Sequence, residues 1–91
     1  MSALPEYRPA EHVVFTDLDG VEAVLVDLNT KQYFTLNETA RLVWRAAAEG
    51  RAMESVVSEL TGAYDVTDDH ARRSTAAVLE EFVRLGLMRP A

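Results

Sequence analysis

DLNTKQYFTLNETA, residues 27–40, passes from a polar turn through five residues of strand character straight into a helix start. Asn29 and Thr30 make the turn, and QYFTL at 32–36 carries the aromatic and β-branched residues of a strand. Asn37 follows at once. Its side-chain oxygen can accept from the free N–H groups of a first helical turn, and Glu38 then sits well against the positive end of the helix dipole. Strand hands over to helix with no linker, and the chain sorts itself around this junction, strands before it and helices after it.

Upstream, EAVLVDL at 22–28 and HVVFTD at 12–17 are joined by the Asp-Gly turn in LDG at 18–20, which makes a hairpin. With QYFTL returning after it, the expected sheet is a three-stranded antiparallel meander. Residues 1–11 hold Pro5 and Pro9 and no periodic pattern, so they read as an extended lead-in to a domain over 12–91. Downstream, Ala40, Val43, Trp44 and Ala47 recur at helical spacing until Gly50, a good residue to end a helix near Glu49. Met53, Val56, Val57 and Leu60 mark a second short helix, ended by Gly62 and poorly capped by Ala52. Thr67 caps a third and longest helix, with Asp68 and Asp69 in its first turn and Gly86 closing it after Leu85. The class is α+β, three strands followed by three helices.

Composition narrows what such a domain can do. The chain has 91 residues, 48% hydrophobic and 26% charged, which suits one globular unit. A net charge of −6 disfavours approach to a phosphate backbone. With no cysteine there is no disulfide, no thiolate nucleophile and no cysteine-based zinc site. No apolar run reaches the length of a membrane span and the N-terminus has no apolar signal core, so a cytoplasmic protein is expected.

The third helix has more apolar surface than one packing partner requires. With Ala71 as zero, Thr75, Val78, Phe82 and Leu85 fall within about 40°, a normal core stripe. Leu79 at about 80°, Val83 at about 120° and Ala76 at about 140°, with Arg72 at about 100°, widen it. That flank either packs on another helix or walls a groove. The third strand, last in a meander, has one edge left over, and only Lys31 at the turn resembles the usual protection of such an edge. A peptide laid beside Gln32, Tyr33, Phe34 and Thr35 would gain main-chain hydrogen bonds from the strand and apolar pockets from the helix. Tyr33 and Phe34 point to opposite faces, and the sequence does not say which of the two meets the groove.

Other candidates have plainer explanations. Asp68, Asp69 and His70 fan out by about 100° per residue and cannot converge on one ion, so no metal or other cofactor is expected. His12 and His70 share no motif with a nucleophile, and no catalytic set emerges. Trp44 shares its helix face with Ala40, Val43 and Ala47 and reads as core.

The succession AVLVDLNTKQYFTLNETARLVW, EGRAMESVVSEL, YDV and VLEEFVRLGLM resembles the small proteins of the pyrroloquinoline quinone biosynthesis protein D family, also called precursor-peptide recognition elements. The resemblance runs from about Val13 to Met88. It rests on Leu36-Asn37 before a helix carrying Trp44, on the break at Gly50, and on Tyr64 followed by Leu85-Gly86-Leu87. It implies a winged-helix-like fold that is not an enzyme and binds the leader segment of a ribosomally made precursor peptide between third strand and third helix. The site residues it implies are Gln32 to Thr35, Leu79 and Val83, with Ala76 and Arg72 on the same flank. Without the Pro-Glu-Gly segment usual in the quinone-cofactor member, the chain is more similar to the stand-alone leader-binding proteins of lasso-peptide pathways. The partners so implied are a cysteine-type leader peptidase and an ATP-dependent cyclase. A winged-helix DNA-binding regulator is the alternative, set against the mixed and largely acidic charge of the third helix.

Overall fold

The computed structural model describes residues 7–90. Its elements are β1 (Tyr7–Pro9), β2 (Val13–Asp17), β3 (Ala23–Asp27), β4 (Gln32–Leu36), α1 (Glu38–Glu49), α2 (Met53–Ala63), α3 (Asp68–Arg84) and β5 (Met88–Pro90). The expected meander is β2-β3-β4, antiparallel throughout, with three helices after it. A second, two-stranded sheet joins the ends of the chain, Tyr7 opposite Pro90 and Pro9 opposite Met88. Part of the lead-in is thus a paired strand. Its partner lies some eighty residues away, and three residues ending in a proline leave no local periodicity to announce it.

The junction at 36–40 is built as its residues dictate. Asn37 stays extended at ψ −179° and the Ala40 N–H donates to its Oδ1 at 2.9 Å. Gly50, at φ 74°, takes the left-handed conformation that closes α1. Asn37→Ala should therefore cost about 1 kcal/mol of stability, read as a lower urea midpoint with unchanged slope. Thr67 caps α3 in the same way, its Oγ1 accepting from the His70 N–H at 3.1 Å. Gly62 does not end α2, which runs on to Ala63, and Tyr64 in extended conformation stops it.

Inward-facing strand residues meet the helices. The rows Val13, Asp27, Gln32; Phe15, Leu25, Phe34; and Asp17, Ala23, Leu36 share that face, with Leu25 and Ala23 fully buried. Trp44 packs edge-on against Phe82, ring centroids 5.2 Å apart at 88°, joining α1 to α3. Asp27 is the one buried acid on the sheet. Burial pulls its carboxyl up, but the Thr30 and Asn29 N–H groups at 3.2 and 2.9 Å, with His12 nearby, more than offset this and hold it below the usual carboxylate range. These bonds shape the turn that delivers β4, where Lys31 sits at φ 65°.

Candidate peptide-binding cleft

The sheet has two edge strands, and they are not equivalent. The start of β2 is covered, since the Val13 N–H donates to the Ala10 carbonyl at 3.2 Å. The outer edge of β4 pairs with no strand among the described residues, the N-terminal strand being taken up by β5. Which β4 groups are free follows from ladder parity. Leu18 N–H bonds Glu22 C=O at 3.0 Å and Leu28 N–H bonds His12 C=O at 2.8 Å, so the even-numbered residues of β3 bond to β2. Hydrogen-bonded pairs alternate along an antiparallel ladder, so Ala23, Leu25 and Asp27 bond to Leu36, Phe34 and Gln32 of β4. Tyr33 and Thr35 are left with their N–H and C=O groups directed outward.

Beside that edge lies a cleft of about 200 Å³ lined by Phe34, Thr35, Leu36, Ala40, Val78, Glu81, Phe82, Leu85 and Leu87. Apart from Thr35 and Glu81 the lining is apolar. The Arg84 guanidinium bonded to Glu81 holds its carboxyl below the usual range, so this carboxylate is already neutralised at the rim. A second hollow of about 190 Å³ is lined by Thr39, Leu60, Tyr64, Val66, His70, Ala71 and Ser74. His70, Ser74, Val78, Glu81 and Leu85 share one flank of α3, between about −20° and −100° from Ala71, so the two hollows open along the same side of the helix. A hydrogen bond to Glu38 pushes the Tyr64 phenol up, keeping it a donor in the lining of the second hollow. A further polar hollow of about 230 Å³ is framed by Arg41, Arg45, Arg51, Glu49 and Glu59. There Arg41 pairs with Asp17 at 2.6 Å, Arg45 with Glu49 at 3.5 Å and Arg51 with Glu59 at 2.8 Å, a surface ion-pair network balanced within itself.

Of the residues expected at the site, the structure brings Phe34 and Thr35 to the cleft and sets Tyr33, 76% exposed, on the opposite face of the sheet. Gln32 is exposed at the turn end of β4 and turns its backbone toward β3. Leu79, Val83, Ala76 and Arg72 lie elsewhere. Leu79 is 2% exposed and belongs to the core, and Val83 packs against that core. Arg72 reaches Glu54 on α2 at 3.6 Å, which shows that this flank of α3 faces α2. The wide stripe of α3 has two flanks about 180° apart, and periodicity measures its width without saying which flank meets which neighbour. Val78 and Leu85, read from the sequence as ordinary core, are the partly exposed residues that wall the cleft. Among the described residues no group of three or more His, Asp or Glu side chains could hold a metal ion, and no helix is long and apolar enough to cross a membrane.

This geometry has solved counterparts. The chain superposes with a TM-score of 0.84 on lasso peptide synthetase B1 complexed with its leader peptide, at 28% identity over 93% of this chain and 99% of that one. It superposes at 0.80 on TbiB1 in complex with the TbiA(beta) leader peptide, at 26% identity over 90% of this chain and 94% of that one. No curated protein sequence matches it. Residues 22–88, from the start of β3 through the beginning of β5, match the family described as coenzyme PQQ synthesis protein D. The match takes in the strand-to-helix junction, the β4 edge and all three helices, well over half of the sequence, and the chain belongs to the PqqD family.

Proposed function

We propose that this protein binds the leader segment of a ribosomally synthesised precursor peptide as an added strand on β4 and delivers it to a leader peptidase or other modifying enzyme, with no catalytic step of its own. The observation that carries this reading is the unpaired β4 edge lying against an apolar cleft of α3, in a fold shared with two solved leader-peptide complexes. Tyr33 and Thr35 offer two donors and two acceptors, at about 0.5 to 1.5 kcal/mol net each. One apolar anchor between Phe34, Val78 and Leu85 adds about 1.5 to 3 kcal/mol. Together these reach the micromolar range once the ordering of a flexible peptide is offset.

The second hollow fits the same ligand. The centres of the two hollows are about ten α3 residues apart, so about 15 Å. An extended chain covers that distance in four or five residues. A leader with two anchors at that spacing fills both hollows, the second anchor meeting Tyr64, His70 and Ser74.

The partners in this reading are a separate cysteine-type leader peptidase and an ATP-dependent cyclase of a lasso-peptide pathway. A DNA-binding role has no support from α3, whose three arginines are each paired with an acid: Arg72 with Glu54, Arg73 with Asp69 and Arg84 with Glu81. Fluorescence anisotropy with the labelled leader of the precursor encoded beside this chain tests the proposal. Saturable binding below about 10 μM is expected, and a flat titration to 100 μM would overturn it.

A further inference from the structure

The side chains of β4 specify their own register only weakly. Leu36 is the one buried residue of the strand, and Tyr33 and Phe34 are neighbouring aromatic residues on opposite faces. A slip of one residue against β3 would exchange the two rings, turning Tyr33 toward the helices and Phe34 away from the cleft. It would also exchange the main-chain groups, so that Tyr33 and Thr35 bonded to β3 and Phe34 faced outward. In a hairpin the register is set by the turn when the side-chain pattern does not set it. The leader edge is therefore defined by residues that precede it.

Residues 28–31, Leu-Asn-Thr-Lys, make that turn without a glycine, whereas the β2-β3 turn has Gly20 at φ 82°. Lys31 takes φ 65°, a conformation that is unfavourable for a residue with a Cβ. Asp27 opposes this cost. Its carbonyl accepts from the Lys31 N–H at 2.7 Å, and its Oδ1 accepts from the Asn29 N–H at 2.9 Å and the Thr30 N–H at 3.2 Å. The remaining turn N–H, that of Leu28, bonds the His12 carbonyl at 2.8 Å, and the His12 ring lies 3.7 Å from the other Asp27 carboxylate oxygen. The Asp27 side chain is 7% exposed, against 35% for Asp17 at the opposite turn, so water competes little for these bonds.

We infer that Asp27 is the positioning residue of the peptide site: by gathering the N–H groups of the turn, it fixes β4 in the register that aims the Tyr33 and Thr35 main chain outward and the Phe34 side chain into the cleft. The inference rests on the leader-binding reading and adds to it a residue outside the cleft lining that sets the geometry of the site through the strand.

The test compares Asp27→Ala, which removes the side-chain acceptor, with Asp27→Asn, which keeps one without the charge. By anisotropy, Asp27→Ala should weaken binding of the labelled leader by about tenfold or more, and Asp27→Asn should stay within about threefold of the unsubstituted protein. Amide hydrogen exchange followed by NMR reads the register in the free protein. In the unsubstituted chain Phe34 and Leu36 should exchange slowly and Tyr33 and Thr35 fast; Asp27→Ala should abolish or invert this alternation while the α1 and α3 amides stay protected. A loss of stability alone would lower protection everywhere and leave the alternation in place. Full affinity in Asp27→Ala, weakened binding with the alternation intact, or lost affinity in Asp27→Asn would each overturn the inference. If Asp27→Ala does not fold, the same comparison is made in a Lys31→Gly background, where the left-handed residue no longer opposes the turn. Failure of that chain to fold would also overturn the inference, since Asp27 would then hold the whole fold rather than the register of one strand. Failure of the unsubstituted protein to bind leader would remove the leader-binding reading, while the exchange pattern would still show whether Asp27 sets the register of β4.

Discussion

Thr35→Pro is expected to weaken leader binding about 10- to 100-fold while the protein melts close to its usual temperature. The Thr35 N–H points away from β3, as ladder parity requires, so the folded protein loses no hydrogen bond when proline removes it. Proline is tolerated on an edge strand in this orientation for the same reason. The bound peptide is different. A carbonyl of the added strand loses its donor and is left facing a ring, at about 1 to 3 kcal/mol. Anisotropy titration and a thermal melt on the same preparation read the two effects separately. Phe34→Pro is the internal control, because the Phe34 N–H faces Leu25 and its loss should lower the melting temperature. If Thr35→Pro binds leader as well as the unsubstituted protein, strand addition at β4 is not the mode of recognition.

Adjacent residues of α3 should separate binding from folding still more sharply. Val78 lines the cleft and is partly exposed. Val78→Asp therefore keeps part of its charge exposed in the free protein and buries it fully only when a leader anchor arrives, so affinity should fall more than 30-fold while stability falls far less than for a substitution of the buried neighbour. Leu79 is 2% exposed among core residues. Leu79→Asp loses a buried leucine and puts an unpaired charge in its place, costing upwards of about 3 to 5 kcal/mol. A domain of this size has only about 5 to 14 kcal/mol in total, so the second variant should show a collapsed urea midpoint. Far-ultraviolet circular dichroism across a urea series checks both. A well-folded Leu79→Asp protein with impaired leader binding would return the binding wall to the other flank of the helix.

That flank is where sequence and structure part. The β4-α1 junction was legible because its signals are local: a strand-forming pentapeptide, then Asn37, then an acidic first turn. The helix ends at Gly50 and Gly86 were legible for the same reason, since a left-handed residue closes a helix wherever it stands. The pairing of Tyr7–Pro9 with Met88–Pro90 was not, because nothing in three extended residues names a partner at the far end of the chain. The side of the sheet that Tyr33 occupies was left open by alternation, which separates it from Phe34 but cannot say which face the helices will cover.

The sequence by itself determined the order of elements, the caps that bound them, and the presence of a strand with an edge to spare beside an over-wide helix. These follow from hydrogen bonding and periodicity within one turn or one strand, where neighbours in sequence are neighbours in space. Only the tertiary structure decided that Val78 and Leu85 wall the cleft while Leu79, Val83 and Arg72 turn toward the core and α2. The rotation of α3 about its axis is set by packing against α1 and α2 together, and a helix apolar over about half its circumference is compatible with more than one rotation until those partners are in place.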